Sequence, residues 1–245
     1  MRKIRRIFAQ SLAAIVFAGA PAQADDDTVH LIGAALPGGD FDMKDGEPVG
    51  AYVDFFREAA AAADVEVTFR DVPWARAVRT AEKSDHLLIF PLTRNAEREK
   101  RFTWLVPVQK EAMCLGSLTP PPSSLEAARA GRRVMVWRGS SPHAYLESLG
   151  FGNLVVIGSG ERIAQVLASD SHALWYSSCH DIDGFTIKHK DRFKILKSRP
   201  VYFETVWLAG GKGYRSSPAA ERFTKAVDSL REAGRLKQLM ASSGG

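Results

Sequence analysis

Short apolar runs alternate with amphipathic stretches along most of the chain, and this rhythm predicts strands interleaved with helices. The stretch 53–63 has the period of a helix, because Phe55, Phe56 and Ala59 fall on one face. The run 86–92 is almost continuously apolar, which is typical of a buried strand. The predicted strands are 29–35, 65–69, 86–92, 133–137, 153–157, 173–176 and 201–209, with an extended segment at 110–118, and the predicted helices are 53–63, 74–82, 125–130, 142–149, 160–168 and one or two within 218–239.

The first 24 residues have the layout of a bacterial export signal. A basic head that includes Arg5 and Arg6 precedes an apolar run at 7–20, and Ala-Gln-Ala at 22–24 forms a small-residue cleavage site. The apolar run is shorter than the roughly 20 residues that span a bilayer. The residues around Arg5 and Arg6 fit the twin-arginine motif poorly, which favours the general secretory route. We therefore expect a signal peptide at 1–24 and a soluble periplasmic protein, with no membrane insertion after the signal is removed.

Removal of the signal brings the net charge close to zero. The chain has 33 Lys and Arg against 28 Asp and Glu, and four of the basic residues lie in the signal, which leaves 29 against 28. Such a balance gives no electrostatic reason to expect a nucleic-acid partner. The six histidines are scattered without metal-ligand spacing, and neither a Gly-x-Ser-x-Gly elbow nor a phosphate-binding lysine loop occurs. No metal, cofactor or catalytic residue is therefore predicted.

Strands interleaved with helices imply parallel sheets that helices cover on both faces. Without its 24 signal residues the 245-residue chain has 221 left, which suits two lobes of roughly 100 residues each. Ligands of such sheets bind at the carboxyl ends of the strands. The sequence therefore predicts an α/β protein in which two lobes meet across a cleft.

One candidate site is the segment Gly139-Ser140-Ser141-Pro142, between a predicted strand and a predicted helix. The glycine and the helix start would present free backbone N–H groups to an anion. An ordinary capped helix, with serine at the cap and proline in the first turn, explains the same residues. Both interpretations stay open.

A second candidate site is the segment 91–98, which follows the apolar strand. Thr93 could donate a hydrogen bond, and Arg94 or Arg98 could clamp a carboxylate with two hydrogen bonds. A surface arginine that pairs with a neighbouring glutamate is the alternative. Local sequence does not decide between them.

Seven short motifs lie in order along the chain. They are GAYVD at 50–54, VPWARA at 72–77, TRNAER at 93–98, FTWLVP at 102–107, RVMV at 133–136, Gly139-Ser140 and ALW at 173–175. No single motif is diagnostic, but the ordered set covers nearly all of the mature chain and resembles the bacterial extracellular solute-binding proteins of family 3, the polar amino-acid type. The resemblance implies a type II periplasmic binding fold with two crossover strands, a cleft that closes on a small polar ligand, and delivery to an ABC permease.

The resemblance also implies how the chain divides. Lobe 1 would comprise 25–110 together with 201–245, and lobe 2 would comprise 111–200. The crossovers would lie near 109–113 and 197–203. The protein is expected to be a monomer.

Residue by residue, the resemblance assigns the ligand carboxylate to Thr93, Arg98 and the loop formed by Gly139, Ser140 and Ser141. These residues would come from both lobes and would close on the carboxylate together. The predicted ligand is therefore a small carboxylate-bearing polar molecule, an amino acid or a related compound.

An aromatic residue that stacks on the ligand is also implied. Phe41 lies where the family places such a residue, and Trp74 is a second candidate. Pro91, just before Thr93, is included in the predicted ligand-binding set.

The chain departs from the family pattern at the position that binds the amino group of an amino-acid ligand. The family usually has an aspartate after the strand 173–176, where this chain has Ser177 and Ser178. Asp181 and Asp183 lie a few residues further on and are the candidates to replace it. An ammonium group without a counter-charge in a closed cleft would be costly. Ser178 and Asp181 therefore complete the predicted ligand-binding set.

Some proteins of this fold are enzymes, such as periplasmic prephenate or arogenate dehydratases. An enzyme of this kind needs a positioned acid or base in its cleft, and Asp181, Asp183 and His180 are the candidates. The resemblance favours binding over this enzymatic alternative.

The chain has two cysteines, Cys114 and Cys179. The periplasm is oxidising, so such a pair can form a disulfide. In the family resemblance their strands are antiparallel neighbours, with both cysteines at the hinge-facing end of one sheet. We therefore predict a disulfide, with two buried free thiols as the alternative.

Overall fold

The computed structural model describes residues 27–243, so the predicted signal peptide at 1–24 lies outside the described part of the chain. None of the described helices is long and apolar enough to cross a membrane. The strands are β1 (Thr28–Gly33), β2 (Asp42–Lys44), β3 (Glu47–Val49), β4 (Glu66–Asp71), β5 (Leu87–Thr93), β6 (Phe102–Ser117), β7 (Val134–Trp137), β8 (Leu154–Ile157), β9 (Leu174–Ser178), β10 (Leu196–Lys197) and β11 (Tyr202–Gly211). The helices are α1 (Ala51–Ala63), α2 (Trp74–Lys83), α3 (Leu125–Arg129), α4 (Ser141–Ser148), α5 (Gly160–Ser169), α6 (Cys179–Lys188), α7 (Pro218–Glu232) and α8 (Arg235–Ser243).

Nine of the described strands form one mixed sheet. Eight of them follow the order β4-β1-β5-β11-β6-β9-β7-β8, and β10 pairs with β6. At one end of the sheet β1 is parallel to β4 and β5, and at the other end β7 is parallel to β8 and β9. The strands between these groups, β6 and β11, are antiparallel to their neighbours. Strands β2 and β3 form a separate hairpin.

Two long strands join the halves of the sheet. β6 pairs with β11 from Phe102 to Met113 and with β9 from Met113 to Gly116. We call β1–β5 with α1, α2, α7 and α8 lobe 1, the elements from α3 to β10 lobe 2, and β6 and β11 the crossover strands. This arrangement confirms the predicted α/β fold with two lobes and two crossover strands. The predicted residue bounds of the lobes stay predictions.

The sheet of each lobe is buried on both faces, so one strand supplies side chains to two apolar cores. On β1, Leu31 packs in the core that includes α1 and α7, and Ile32 packs in the core that includes α2. On β7, Met135 packs in the core that includes α5 and α6, and Val136 packs in the core that includes α4. Helices therefore cover both faces of the sheet, and the carboxyl ends of the parallel strands are left to face the cleft.

The structure corrects three local predictions. Helix α6 was not predicted, although it follows β9 directly. The strand predicted at 29–35 ends at Gly33, because the chain turns there and the Ala35 N–H donates to Asp71 Oδ1 at 2.8 Å. The segment predicted at 110–118 is only the second half of β6, whose first half gains its strand partners from distant β11.

Candidate ligand-binding site

A cavity lies between the two lobes at the carboxyl ends of β1, β5, β7 and β9, where the predicted topology places a ligand. Its wall includes the loop after β1, the starts of α4 and α6, and residues of both crossover strands. The cavity has a volume of about 100 Å³, whereas one buried water needs roughly 10–15 Å³ on the same measure. The cavity therefore has room for a small organic molecule.

Among the described residues, Arg98 is the one basic side chain in the cavity wall, and only 3 % of it is exposed. Its Nη1 donates to the Thr93 carbonyl at 3.3 Å, and its Nη2 donates to the Gly139 carbonyl at 2.9 Å. The Trp74 indole Nε1 donates to the same Gly139 carbonyl at 3.1 Å. Gly139 has a φ of +70°, a conformation that glycine adopts without strain. Trp74 and Arg98 of lobe 1 thus both bind the backbone of lobe 2 at Gly139.

The carboxyl group of Glu204, on β11, lies between the two predicted carboxylate-binding segments. Its Oε2 accepts a hydrogen bond from Thr93 Oγ1 at 3.0 Å and another from Ser141 Oγ at 2.7 Å. Burial raises the pKa of Glu204 above its ordinary value, while the two hydroxyl groups and the charge of Arg98 lower it in part. The sequence did not predict this residue. An acid of the chain itself holds the hydroxyl groups that the resemblance assigned to a ligand.

Ser140 and Ser141 both line the cavity, but they have different roles. Ser140 is the N-cap of α4, and its Oγ accepts from the His143 N–H at 3.2 Å. Ser141 is the first helical residue, and its Oγ turns to Glu204. The ordinary capped helix and the polar loop are therefore both present in this segment.

Glu111, which the sequence also did not predict, lies directly opposite Glu204. The two residues are partners in the register of β6 and β11, so their side chains leave the same face of the sheet. Glu111 Oε1 accepts from the Tyr52 hydroxyl and from Gln109 Nε2, each at 2.9 Å. Burial, followed by the charge of Asp181, raises the pKa of Glu111 from 4.5 to about 7. Like charges directly opposite each other are unfavourable, so this pair of glutamates suits a positive charge between them.

Asp181 is a third acid of the cavity wall and is partly buried. It lies in the first turn of α6, where its N–H donates to the N-cap Ser178 Oγ at 3.0 Å. Its Oδ2 accepts from Ser177 Oγ at 2.9 Å, and its Oδ1 accepts from the Gly38 N–H of lobe 1 at 3.3 Å. Burial raises the pKa of Asp181, which means that the site disfavours the charge unless a cation is near.

Of the two aromatic candidates, Trp74 lines the cavity together with Pro91, and Phe41 does not. The Phe41 ring lies in a core of lobe 1, with its centroid 6.2 Å from that of Phe69. The reason is the loop after β1, which folds back so that the Leu36 N–H donates to the Phe41 carbonyl at 2.8 Å. The predicted stacking role of Phe41 is corrected accordingly.

Two other candidates from the sequence pair with charged groups away from the cavity wall. Asp183 pairs with Lys197. His180 Nε2 lies 2.7 Å from Asp40 Oδ2 of lobe 1, and this hydrogen bond raises the pKa of His180. The His180–Asp40 pair therefore joins the lobes. Within residues 27–243 no group of three or more His, Cys, Asp or Glu residues could hold a metal ion.

The predicted disulfide between Cys114 and Cys179 is confirmed. The two Cα atoms are 4.8 Å apart, within the usual range for disulfides. Cys114 lies on β6, and Cys179 begins α6 two residues before Asp181. The bridge therefore ties the helix that carries Asp181 to a crossover strand.

The chain belongs to the bacterial extracellular solute-binding proteins, family 3, whose sequence profile matches residues 32–244. This confirms the resemblance found in the sequence. Among curated proteins, none matches the chain.

Solved structures of periplasmic binding proteins are similar in fold. A histidine kinase sensor domain with similarity to periplasmic binding proteins is 18 % identical, with 88 % of this chain and 95 % of that chain covered and a TM-score of 0.76. An ancestral arginine-binding protein bound to glutamine is 17 % identical, with 89 % and 99 % covered and a TM-score of 0.74. An amino acid ABC transporter substrate-binding protein from Streptococcus pneumoniae, bound to L-arginine, is 16 % identical, with 89 % and 94 % covered and a TM-score of 0.73. Together they establish the fold.

Proposed function

We propose that this chain is an exported periplasmic protein that captures a small polar solute with a positively charged group, such as a cationic amino acid or a related amine, for an ABC importer. The observation that carries the proposal is the set of three acids in the cavity wall, the partly buried Glu111 and Asp181 and the buried Glu204, whose carboxyl groups all have raised pKa values. A cationic group among them supplies positive charge beyond that of Arg98, which offsets the raised pKa of Glu204 only in part.

The charge balance of the wall supports a cation over an anion. The guanidinium of Arg98 already donates to the carbonyls of Thr93 and Gly139. Buried carboxyl groups without a counter-charge favour their neutral forms, and a bound cation restores the charged forms. An anionic solute would add a further like charge to the same space.

The similar structures support the wider assignment. One of them is named as an amino acid ABC transporter substrate-binding protein bound to L-arginine, and another as an arginine-binding protein. Capture of a cationic amino acid for import fits the acidic cavity, and the export signal expected at 1–24 fits a periplasmic location.

The dehydratase alternative gains no support from the site. Of its three candidate residues, Asp181 lines the cavity, whereas Asp183 and His180 pair elsewhere. Prephenate carries two carboxylates, which would meet the acids of the cavity wall. We therefore propose binding without a reaction.

Thermal denaturation and calorimetry with L-arginine, L-lysine, agmatine, cadaverine and L-glutamate test the proposal. A solute at 100 times its Kd stabilises the protein by about 2.7 kcal/mol, which corresponds to a rise in Tm of roughly 5–10 °C for a chain of this size. We expect such a rise with at least one of the cations and none with L-glutamate. Asp181→Asn should reduce the response, while Asp228→Asn on the surface of α7 should leave it unchanged. A rise with L-glutamate alone would refute the proposal.

A further inference from the structure

The polar end of the cavity at Thr93 and Ser141 has the chemistry of an anion site. Two hydroxyl groups converge there from different lobes, and the buried guanidinium of Arg98 bonds to the Thr93 carbonyl close by. Hydroxyl donors beside a guanidinium are suited to a carboxylate. The carboxylate that accepts both hydroxyl hydrogen bonds in the structure is that of Glu204.

Glu204 is held in this place by the fold. It lies on crossover strand β11, opposite Glu111 on β6, and its side chain is 8 % exposed. Its Oε2 takes both hydroxyl hydrogen bonds, at 3.0 and 2.7 Å. A carboxylate of a ligand would have to replace Glu204 at these donors and would then lie beside two glutamates. Carboxylates that meet in a site shielded from water repel each other strongly.

We propose that Glu204 makes the cavity select small organic cations that lack a carboxylate, so that amines and guanidines bind more tightly than the corresponding α-amino acids. The proposal rests on the proposed function and names its solute class. In an amine, the end of the molecule that would carry the carboxylate in an amino acid is free of negative charge. That end can then approach Glu204 without repulsion.

The rest of the wall fits such a cation. Trp74 and Trp137 line the cavity, and tryptophan rings attract cations and pack against methylene groups. Tyr176 also lines the cavity, and its buried hydroxyl has no hydrogen-bond partner among the described residues. A phenolic oxygen can accept a hydrogen bond from an ammonium or guanidinium N–H.

Matched pairs of solutes test the selection directly. Agmatine is L-arginine without its carboxylate, and cadaverine is L-lysine without its carboxylate. We expect isothermal titration calorimetry at pH 7.5 to give at least tenfold tighter binding for the amine of whichever pair binds. In Glu204→Gln the neutral amide still accepts from the two hydroxyl groups, so the preference should shrink to less than threefold. In Glu204→Ala the two hydroxyl groups keep only the 2.8 Å contact with each other and can donate to a carboxylate, so the preference should reverse.

Two further variants separate selection from general loss of binding. Glu111→Gln should weaken both members of a pair alike and keep their ratio within threefold of the wild-type ratio. Asp228→Asn should change neither affinity. Equal or tighter wild-type binding of the amino acid overturns the selection and leaves the proposed function standing, and this result does not depend on whether the Glu204 variants fold. Binding of none of the four cations overturns both proposals.

Discussion

Binding of a cation beside Glu111 should depend on pH, because this carboxyl group is partly protonated near neutrality. Burial and the nearby charge of Asp181 raise the pKa of Glu111 from 4.5 to about 7. A cation in the cavity stabilises the charged carboxylate and lowers this pKa. Ligand binding should therefore release a proton from Glu111, and a rise in pH should strengthen binding.

The size of the effect follows from the pKa. A group with a pKa of about 7 is about nine-tenths protonated at pH 6 and about one-tenth protonated at pH 8. If the bound cation keeps Glu111 charged throughout this range, the apparent Kd should fall about tenfold from pH 6 to pH 8. At pH 7 each binding event should release about half a proton.

Isothermal titration calorimetry with agmatine measures both quantities. The Kd is determined at pH 6, 7 and 8 at constant ionic strength, and the proton release comes from titrations at pH 7 in buffers with different ionisation enthalpies. Glu111→Gln removes the titrating group but keeps an oxygen that can accept from Tyr52 and Gln109. The variant should lose most of the pH dependence. An equal pH dependence in both proteins, or tighter binding at pH 6, would refute the role of Glu111.

The same pKa predicts the pH dependence of folding without ligand. Between pH 4.5 and about 7 the folded protein holds a proton on Glu111 that the unfolded chain has lost, so the contribution of Glu111 to stability is full below pH 4.5 and declines as the pH rises towards 7. The shift corresponds to roughly 3 kcal/mol. Urea denaturation at pH 8 should therefore show Glu111→Gln to be more stable than the wild type, with little difference at pH 4.5. A Glu111→Gln variant that is less stable at pH 8 would contradict this interpretation.

Three further changes have predictable outcomes. Replacement of Cys114 and Cys179 by alanine should lower the free energy of unfolding by about 4 kcal/mol for the 65-residue separation, and thiol titration of the unfolded, unreduced wild type should find no free thiol. Arg98→Ala should cost about 2–4 kcal/mol in urea denaturation, since it removes one buried and one partly buried hydrogen bond of a charged donor; a cost below about 0.5 kcal/mol, typical of surface positions, would contradict its role. In Gly184→Ala the new Cβ would lie 2.3 Å from the Gly38 carbonyl oxygen. The present arrangement, in which the two lobes touch at this point and which we call the closed form, should therefore be destabilised by about 1–3 kcal/mol. Weaker agmatine binding and a larger radius of gyration in X-ray scattering would show this, and unchanged values of both would contradict it.

The order of strands and helices could be predicted because most elements have a local periodic pattern. Helix α6 was missed because its apolar side chains are few, with Ile182 and Phe185 as the buried ones. A signal was nevertheless present. Ser178 followed three residues later by an acidic residue, Asp181, resembles the pattern of a capped helix start, and the structure shows the cap at Ser178.

The candidate site could be predicted only in part. Thr93, Arg98 and Ser141 follow strands, so their position at the cleft was expected from topology. Glu111 and Glu204 were not predicted because they lie within strands, and because their closeness depends on the register between β6 and β11. The signal that could have found them is a single glutamate within each of two apolar strands at the predicted crossovers.

Under the proposed function, the position of these two glutamates would link ligand charge to lobe closure. Glu204 receives one hydroxyl hydrogen bond from Thr93 of lobe 1 and one from Ser141 of lobe 2, so both form only when the lobes are together. Glu204 is buried opposite Glu111 in this arrangement, and their repulsion opposes it when both are charged. A cation between them removes this repulsion and leaves the two hydrogen bonds in place. The free energy of cation binding is therefore realised most fully in the closed form, which is the condition for a ligand to shift a hinge equilibrium.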